Sequence, residues 1–159
     1  MKSDTIAAIA TALSDAGIGI IRISGPEAIA VANRVVVNKK KEHRLKNWQT
    51  HTIHYGFVEE NGTILDEVMV SVMKAPRSYT TEDTVEINCH GGVLLTKRVL
   101  EAVLHAGARM AEPGEFTKRA FLSGRIDLSE AEAVMDLFQA KNQFSMQASI
   151  KQLRGSAAE

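Results

Sequence analysis

His51-Thr-Ile-His-Tyr-Gly-Phe-Val-Glu-Glu-Asn-Gly-Thr-Ile-Leu-Asp-Glu-Val-Met-Val-Ser-Val-Met73 contains two strand-like runs, His51–Glu59 and Ile64–Met73, on either side of Glu60-Asn-Gly62. Asn and Gly accept positive φ at low cost, which a tight turn between right-twisted strands requires. The pair therefore reads as an antiparallel hairpin. A hairpin has no place in a regular series of strand–helix–strand crossovers, so this segment weighs against a doubly wound parallel fold.

Working outward, Thr5–Ala10 and Ile18–Ser24 are short, Ile-rich runs that read as strands. Ser24-Gly-Pro-Glu27 has capping-box spacing with Pro in the first turn, which predicts a helix from about Pro26 to Val35. Asn38–Asn47 carries Lys39, Lys40, Lys41, Arg44 and Lys46 and reads as a solvated, mobile loop rather than a nucleic-acid patch. On the other side of the hairpin, Thr84–Cys89 is a further strand and Val93–Ala106 a helix stopped by Gly107. A short strand is expected near Arg109–Ala111. The period then becomes helical through Glu115–Leu122, breaks at Ser123-Gly124, and resumes behind a second capping box, Asp127-Leu-Ser-Glu130. Leu128, Ala131, Met135, Phe138, Met146, Ile150 and Leu153 continue it at roughly helical spacing. The expected class is α+β: a mixed, largely antiparallel sheet with packed helices, followed by a helical segment.

Composition narrows the function classes. The chain has 159 residues, 45% of them hydrophobic, enough for one ordinary core. Nineteen basic and nineteen acidic residues cancel, so any RNA contact needs a local patch rather than bulk charge. The single cysteine, Cys89, excludes an internal disulfide framework and a zinc site built on Cys pairs, and fits a reducing compartment. No apolar run approaches membrane-spanning length, and the expectation is a cytoplasmic protein with no membrane partner.

Three residues invite a chemical reading. Arg22 lies in the second strand on the face of Ile18 and Ile20, opposite Ile21 and Ile23. Both faces are mainly apolar, so this arginine must either pair with an acid or point into a ligand cleft, because an unpaired buried charge is costly. Glu86 alternates with Thr84 and Asn88, away from Val85, Ile87 and Cys89. It reads either as part of a solvated polar face or as a carboxylate accepting two parallel hydrogen bonds from a ligand edge. Arg125, in Leu122-Ser-Gly-Arg-Ile-Asp127, is either an ordinary surface arginine or a donor reaching a ligand from an irregular segment. The His90-Gly-Gly92 turn would let a ligand approach the backbone N–H groups at the start of the next helix. His51 and His54 make a poor metal pair, and Glu112 and Glu115 read as turn and helix-cap residues.

Four blocks, taken in order, carry a family resemblance. They are Asp4-Thr-Ile-Ala-Ala-Ile-Ala-Thr11, Gly17-Ile-Gly-Ile-Ile-Arg-Ile-Ser-Gly-Pro26, Ser78-Tyr-Thr-Thr-Glu-Asp-Thr-Val-Glu-Ile-Asn-Cys-His-Gly-Gly92 and Ala111-Glu-Pro-Gly-Glu-Phe-Thr-Lys-Arg-Ala-Phe-Leu-Ser-Gly-Arg-Ile-Asp-Leu-Ser-Glu-Ala-Glu-Ala-Val-Met-Asp136. They resemble the N-terminal region of the MnmE (TrmE) family of tRNA-modification GTPases. The resemblance implies a folate-binding and dimerisation domain over residues 1–118 and the truncated start of a helical domain over 119–159, without the GTPase domain.

The resemblance also assigns roles. The family's folate-contact positions fall on Arg22, Glu86 and Arg125, with Glu86 facing the pterin edge. The implied cofactor is a formyl- or methylene-tetrahydrofolate. GTP, potassium and magnesium belong to the full-length family and not to this chain. The implied partners are a second copy of the chain, an MnmG-type FAD protein and, in the full complex, tRNA modified at the wobble uridine. One departure is visible: Thr11-Ala-Leu-Ser-Asp-Ala16 replaces the family's Pro- and Gly-rich turn after the first strand. Two other readings stay open, a stand-alone folate-dependent one-carbon transferase and a purely structural dimerisation module. The first of these needs a general acid or base beside the folate, and the sequence offers no convincing one.

Overall fold

The computed structural model describes residues 4–12 and 17–137. It divides into two compact units, residues 1–112 and 113–159. The first unit is built on a seven-stranded sheet. In chain order its strands are β1 (Ile6–Ile9), β2 (Gly19–Ser24), β3 (Val36–Val37), β4 (Thr52–Glu60), β5 (Thr63–Met73), β6 (Thr84–Cys89) and β7 (Arg109–Met110). Helix α1 (Ala28–Val35) lies between β2 and β3, and α2 (Gly92–His105) between β6 and β7. Across the sheet the order is β3-β4-β5-β6-β2-β1-β7. Every pairing is antiparallel except β1 with β7. The class is α+β.

The hairpin forms where the sequence predicts it. Asn61 has φ 53° and Gly62 φ 80°, the pair of positive values that this turn needs. A one-residue register shift between Val58 and Glu59 leaves β5 with an extra residue ahead of Asp66. Alternation then sorts the strand residues cleanly. Ala7, Ile21, Ile23, Val68, Val70, Val72, Val85 and Ile87 are buried and join one core with Val31, Ala32 and Val35 of α1 and Val99 and Val103 of α2. Fully burying each such Val or Ile is worth about 1.5–3 kcal/mol in area terms, so this single layer of aliphatic contacts carries most of the unit's stability.

Both α1 and α2 pack on that one face. The expectation that β2 is apolar-buried on both sides is therefore corrected: Ile20 and Arg22 are half-buried, on the face opposite the two helices. The predicted capping box at Ser24 and Glu27 also does not form. Ser24 is the last residue of β2 and fully buried, and its hydroxyl bonds Thr80 and Glu82 instead. Thr5 Oγ1 accepts from Glu27 N at 2.8 Å in its place.

The loop 38–47 is more structured than its lysines suggest. Asn38 Oδ1 accepts from the N–H groups of Lys40 and Glu42, at 2.9 and 3.0 Å. A 3₁₀ turn, Leu45–Asn47, then buries Leu45 in the core beside α1.

In the second unit, α3 (Glu115–Leu122) is stapled by a Glu115–Arg119 ion pair at 3.1 Å. Residues 128–137 are helical behind the predicted capping box, in which Glu130 N donates to Asp127 Oδ1 at 2.7 Å. The rest of the predicted long helix, residues 138–159, lies outside the described residues, as do residues 13–16 of the loop after β1.

Candidate functional site

Two of the three sequence candidates meet at the middle of the sheet. Register places Arg22 of β2 directly opposite Glu86 of β6, with Ala8 of β1 beyond Arg22 and Ser71 of β5 beyond Glu86. Arg22 Nε donates to Glu86 Oε2 at 2.9 Å. The side chains are 30% and 25% exposed, so the pair is reachable from solvent yet substantially desolvated. Of the two alternatives for Arg22, the ion pair with an acid is the one observed. The arginine has its acid partner, and the pair sits on the face that α1 and α2 leave uncovered.

The neighbouring rows of that face are mixed. On one side Ile20, Asn88, Met69 and Tyr55 line up across β2, β6, β5 and β4. On the other side Ser24, Thr84 and Met73 align, and there Ser24 Oγ contacts Thr80 Oγ1 at 2.7 Å and donates to Glu82 Oε1 at 2.9 Å. This hydroxyl–carboxylate cluster ties the loop between β5 and β6 to the end of β2. The sequence reading missed it, since Ser24 looked like a helix cap and Thr80 carries no local signal.

The turn His90-Gly-Gly92 is engaged by the protein itself. Asp66 Oδ2 accepts from His90 N at 2.9 Å and from Gly91 N at 3.1 Å. The carboxylate beside the β5 bulge thus occupies N–H groups that the sequence reading offered to an incoming anion. Its negative charge there would oppose one. Nothing in the local sequence around Gly91 announces a partner 25 residues away.

Cys89, at the end of β6, is fully buried, and burial together with nearby Asp66 pushes its thiol up to about 12. It stays protonated and behaves as a small core residue. Among the described residues no group of three or more His, Cys, Asp or Glu side chains is placed to hold a metal ion.

Arg125 belongs to the second unit. It is exposed, follows Gly124 (φ 83°), and its backbone N–H closes the end of α3 on Ala120 O at 2.9 Å.

The family model for the GTP-binding protein TrmE N-terminus matches residues 5–125, a span that includes Arg22, Glu86 and Arg125. The chain belongs to the TrmE N-terminus family. Among its relatives are proteins named tRNA modification GTPase MnmE. That of Lachnoclostridium phytofermentans is 61% identical over 156 residues, those of Streptococcus thermophilus and Listeria welshimeri 57% and 56%. These alignments cover 96–98% of this chain but only 33–34% of each relative. The TrmE-type chain thus spans about a third of the length of the curated relatives it matches. Among the described residues no helix is long and apolar enough to cross a membrane.

Proposed function

We propose that this TrmE-type chain binds a one-carbon tetrahydrofolate on the sheet face that α1 and α2 leave uncovered, with Arg22 and Glu86 as the central contacts. The observation that carries the reading is the half-buried Arg22–Glu86 pair itself. It is a carboxylate and a guanidinium held on rigid neighbouring strands rather than on loops, flanked by the apolar groups of Ile20 and Met69. The donor and acceptor set fits a folate. Glu86 can accept from the N–H and amino group of a pterin edge, and Arg22 can donate to a carbonyl or carboxylate oxygen. In the free protein the two groups satisfy each other, which avoids leaving either charge unpaired. Arg125 is proposed as a third contact through the family motif it occupies.

When bound, the folate supplies a carbon at the formyl or methylene level. The chain's own residues bind and orient it. A homodimer is part of the same proposal, supported by Ile53, which is 65% exposed on that same face. Further proposals follow the family: a cytoplasmic role in wobble-uridine modification of tRNA with an MnmG-type FAD protein, residues 1–118 acting as the folate and dimer domain. GTP hydrolysis is assigned to full-length relatives and not to these 159 residues, which contain no P-loop motif.

Calorimetric titration with formyl-tetrahydrofolate tests the central claim. Saturable binding that weakens in Arg22→Ala and Glu86→Gln is expected. Unchanged binding in both variants removes the pair from the site.

A further inference from the structure

At the β3–β4 edge of the sheet, a cleft of about 250 Å³ has Asn38, Glu42, Arg44, Trp48, His54 and Tyr55 among its walls. Trp48 and His54 stack with ring centroids 3.5 Å apart and planes 20° from parallel. Burial lowers the pKa of His54, so at neutral pH the stack is uncharged. Lys39 places its ammonium 5.7 Å from the Tyr55 ring centroid. The segment that supplies Asn38, Glu42, Arg44 and Leu45 to the wall also carries Lys39, Lys40, Lys41 and Lys46, all exposed, and its one acid, Glu42, pairs with Arg44.

The segment that presents these cations is held in place. The Asn38 side chain organises the turn, Asn33 Oδ1 accepts from Leu45 N at 2.9 Å, and His43 Nδ1 contacts Asn33 O at 2.6 Å. The arrangement therefore joins an aromatic stack to an ordered segment rich in positive charge. That combination suits a flexible polyanion carrying flat rings, since bases stack on aromatic side chains while lysines track the phosphates. A compact anion such as free phosphate would use the charge and leave the aromatic wall idle.

We propose that this cleft is a contact site for single-stranded RNA, with a base against the Trp48–His54 stack and phosphates along the Lys39–Lys41 segment and Lys46. The choice of RNA rests on the tRNA-modification reading above. The site itself shares no residue with the Arg22–Glu86 pair. From the sequence this segment reads as a solvated loop, and the aromatic stack beside it emerges only in the fold.

Trp48 is the chain's single tryptophan, so its emission reports on this cleft alone. The full chain is titrated with an unstructured oligoribonucleotide of about eight nucleotides, at low and then rising salt. Saturable quenching is expected, with affinity falling steeply as salt rises. In the triple variant Lys39→Gln, Lys40→Gln, Lys41→Gln the slope of log affinity against log salt should become shallower by about 2. Formyl-tetrahydrofolate binding by this triple variant should be unchanged, and RNA binding by Arg22→Ala should be unchanged, so failure of either site is read separately. Absence of quenching at low salt, or an unaltered slope in the triple variant, overturns the proposal. So does equally tight binding of heparin with the same quenching, which would show a general polyanion patch without base contact.

Discussion

Arg22 and Glu86 are directly opposed on β2 and β6, and their side chains meet in a charged hydrogen bond of 2.9 Å on the face that α1 and α2 leave uncovered. Each group is the other's partner in the free protein, and in the folate reading each also faces the ligand. Substituting one residue thus changes two things: a ligand contact and the state of the residue left behind. Arg22→Ala or Glu86→Gln is expected to weaken formyl-tetrahydrofolate by roughly 2–4 kcal/mol, or about 30- to 800-fold. The double variant should lose less than the sum of the single losses, because the second change removes a charge already left unpaired. Additive losses in a calorimetric double-mutant cycle would show that the pair is not engaged as a unit. Arg125→Ala should have a smaller effect, since an exposed side chain gives up less on losing a contact.

The carboxylate of Asp66 holds the chain at the entry to α2 through His90 N and Gly91 N. Asp66→Ala leaves those N–H groups to water and removes a negative charge from the positive end of the helix dipole. A loss of about 1 kcal/mol is expected, in the range of other helix-entry contacts. Asp66→Asn keeps an acceptor oxygen and should lose less. Urea denaturation of the two variants measures this. An alanine variant as stable as the parent would mean that water replaces the carboxylate fully.

These two cases show what the sequence could and could not convey. The hairpin, the core face and the class were legible because Asn61-Gly62 and the alternation of Val68, Val70 and Val72 are local signals. Alternation placed Arg22 and Glu86 each on one side of its own strand, but that they share a face and pair depends on β6 adding beside β2, a contact 64 residues apart. Separations of 56 and 58 residues likewise hid the Ser24–Thr80–Glu82 cluster, which took the serine away from its apparent capping role. The basic side chains of the 38–47 segment are exposed, as a solvated loop requires. What the sequence did not show is its ordering by Asn33 and Asn38, side chains that bond backbone groups and leave no hydrophobic pattern behind.

Cys89 gives a pH prediction with a definite sign. Burial, with nearby Asp66, pushes its folded thiol up to about 12, above the ordinary thiol value, so the folded state holds the proton more tightly than the unfolded one. The stability this represents is complete below the unfolded pKa and is lost as pH rises through the folded one, between about 9 and 12. Urea midpoints should therefore fall across that window, and fall less in Cys89→Ala once its own cavity penalty is subtracted. At pH 8 the native thiol should react with a disulfide reagent far more slowly than the urea-unfolded thiol. Equal rates would show that the strand end opens freely.

The chain should not bind GTP. Phosphate cradling of the P-loop kind needs G-x-x-x-x-G-K-[ST], which is absent, and Asn38-Lys-Lys-Lys41 lacks the aspartate of the guanine-specifying N-K-x-D pattern. A fluorescent GTP analogue at micromolar concentration is expected to show no saturable binding. Saturation in that range would contradict this.

Self-association is the prediction most exposed to test. Ile53 stands in the same cross-sheet row as Ser71, Glu86 and Arg22, so apolar surface and the candidate ligand contacts share one face. A two-fold interface there would bury matching patches from both copies and bring the ligand near the seam. Ile53→Lys should shift the species toward monomer with little change in thermal stability, because the side chain is 65% exposed and contributes little to the core of its own unit. Folate should in turn strengthen the dimer of the parent chain, since a ligand that favours the assembled state stabilises it by mass action. Light scattering over a dilution series, with and without formyl-tetrahydrofolate, measures both effects. A parent chain that stays monomeric at tens of micromolar in both conditions would remove the dimer from the model. A dimer indifferent to both Ile53→Lys and folate would move the interface to another surface.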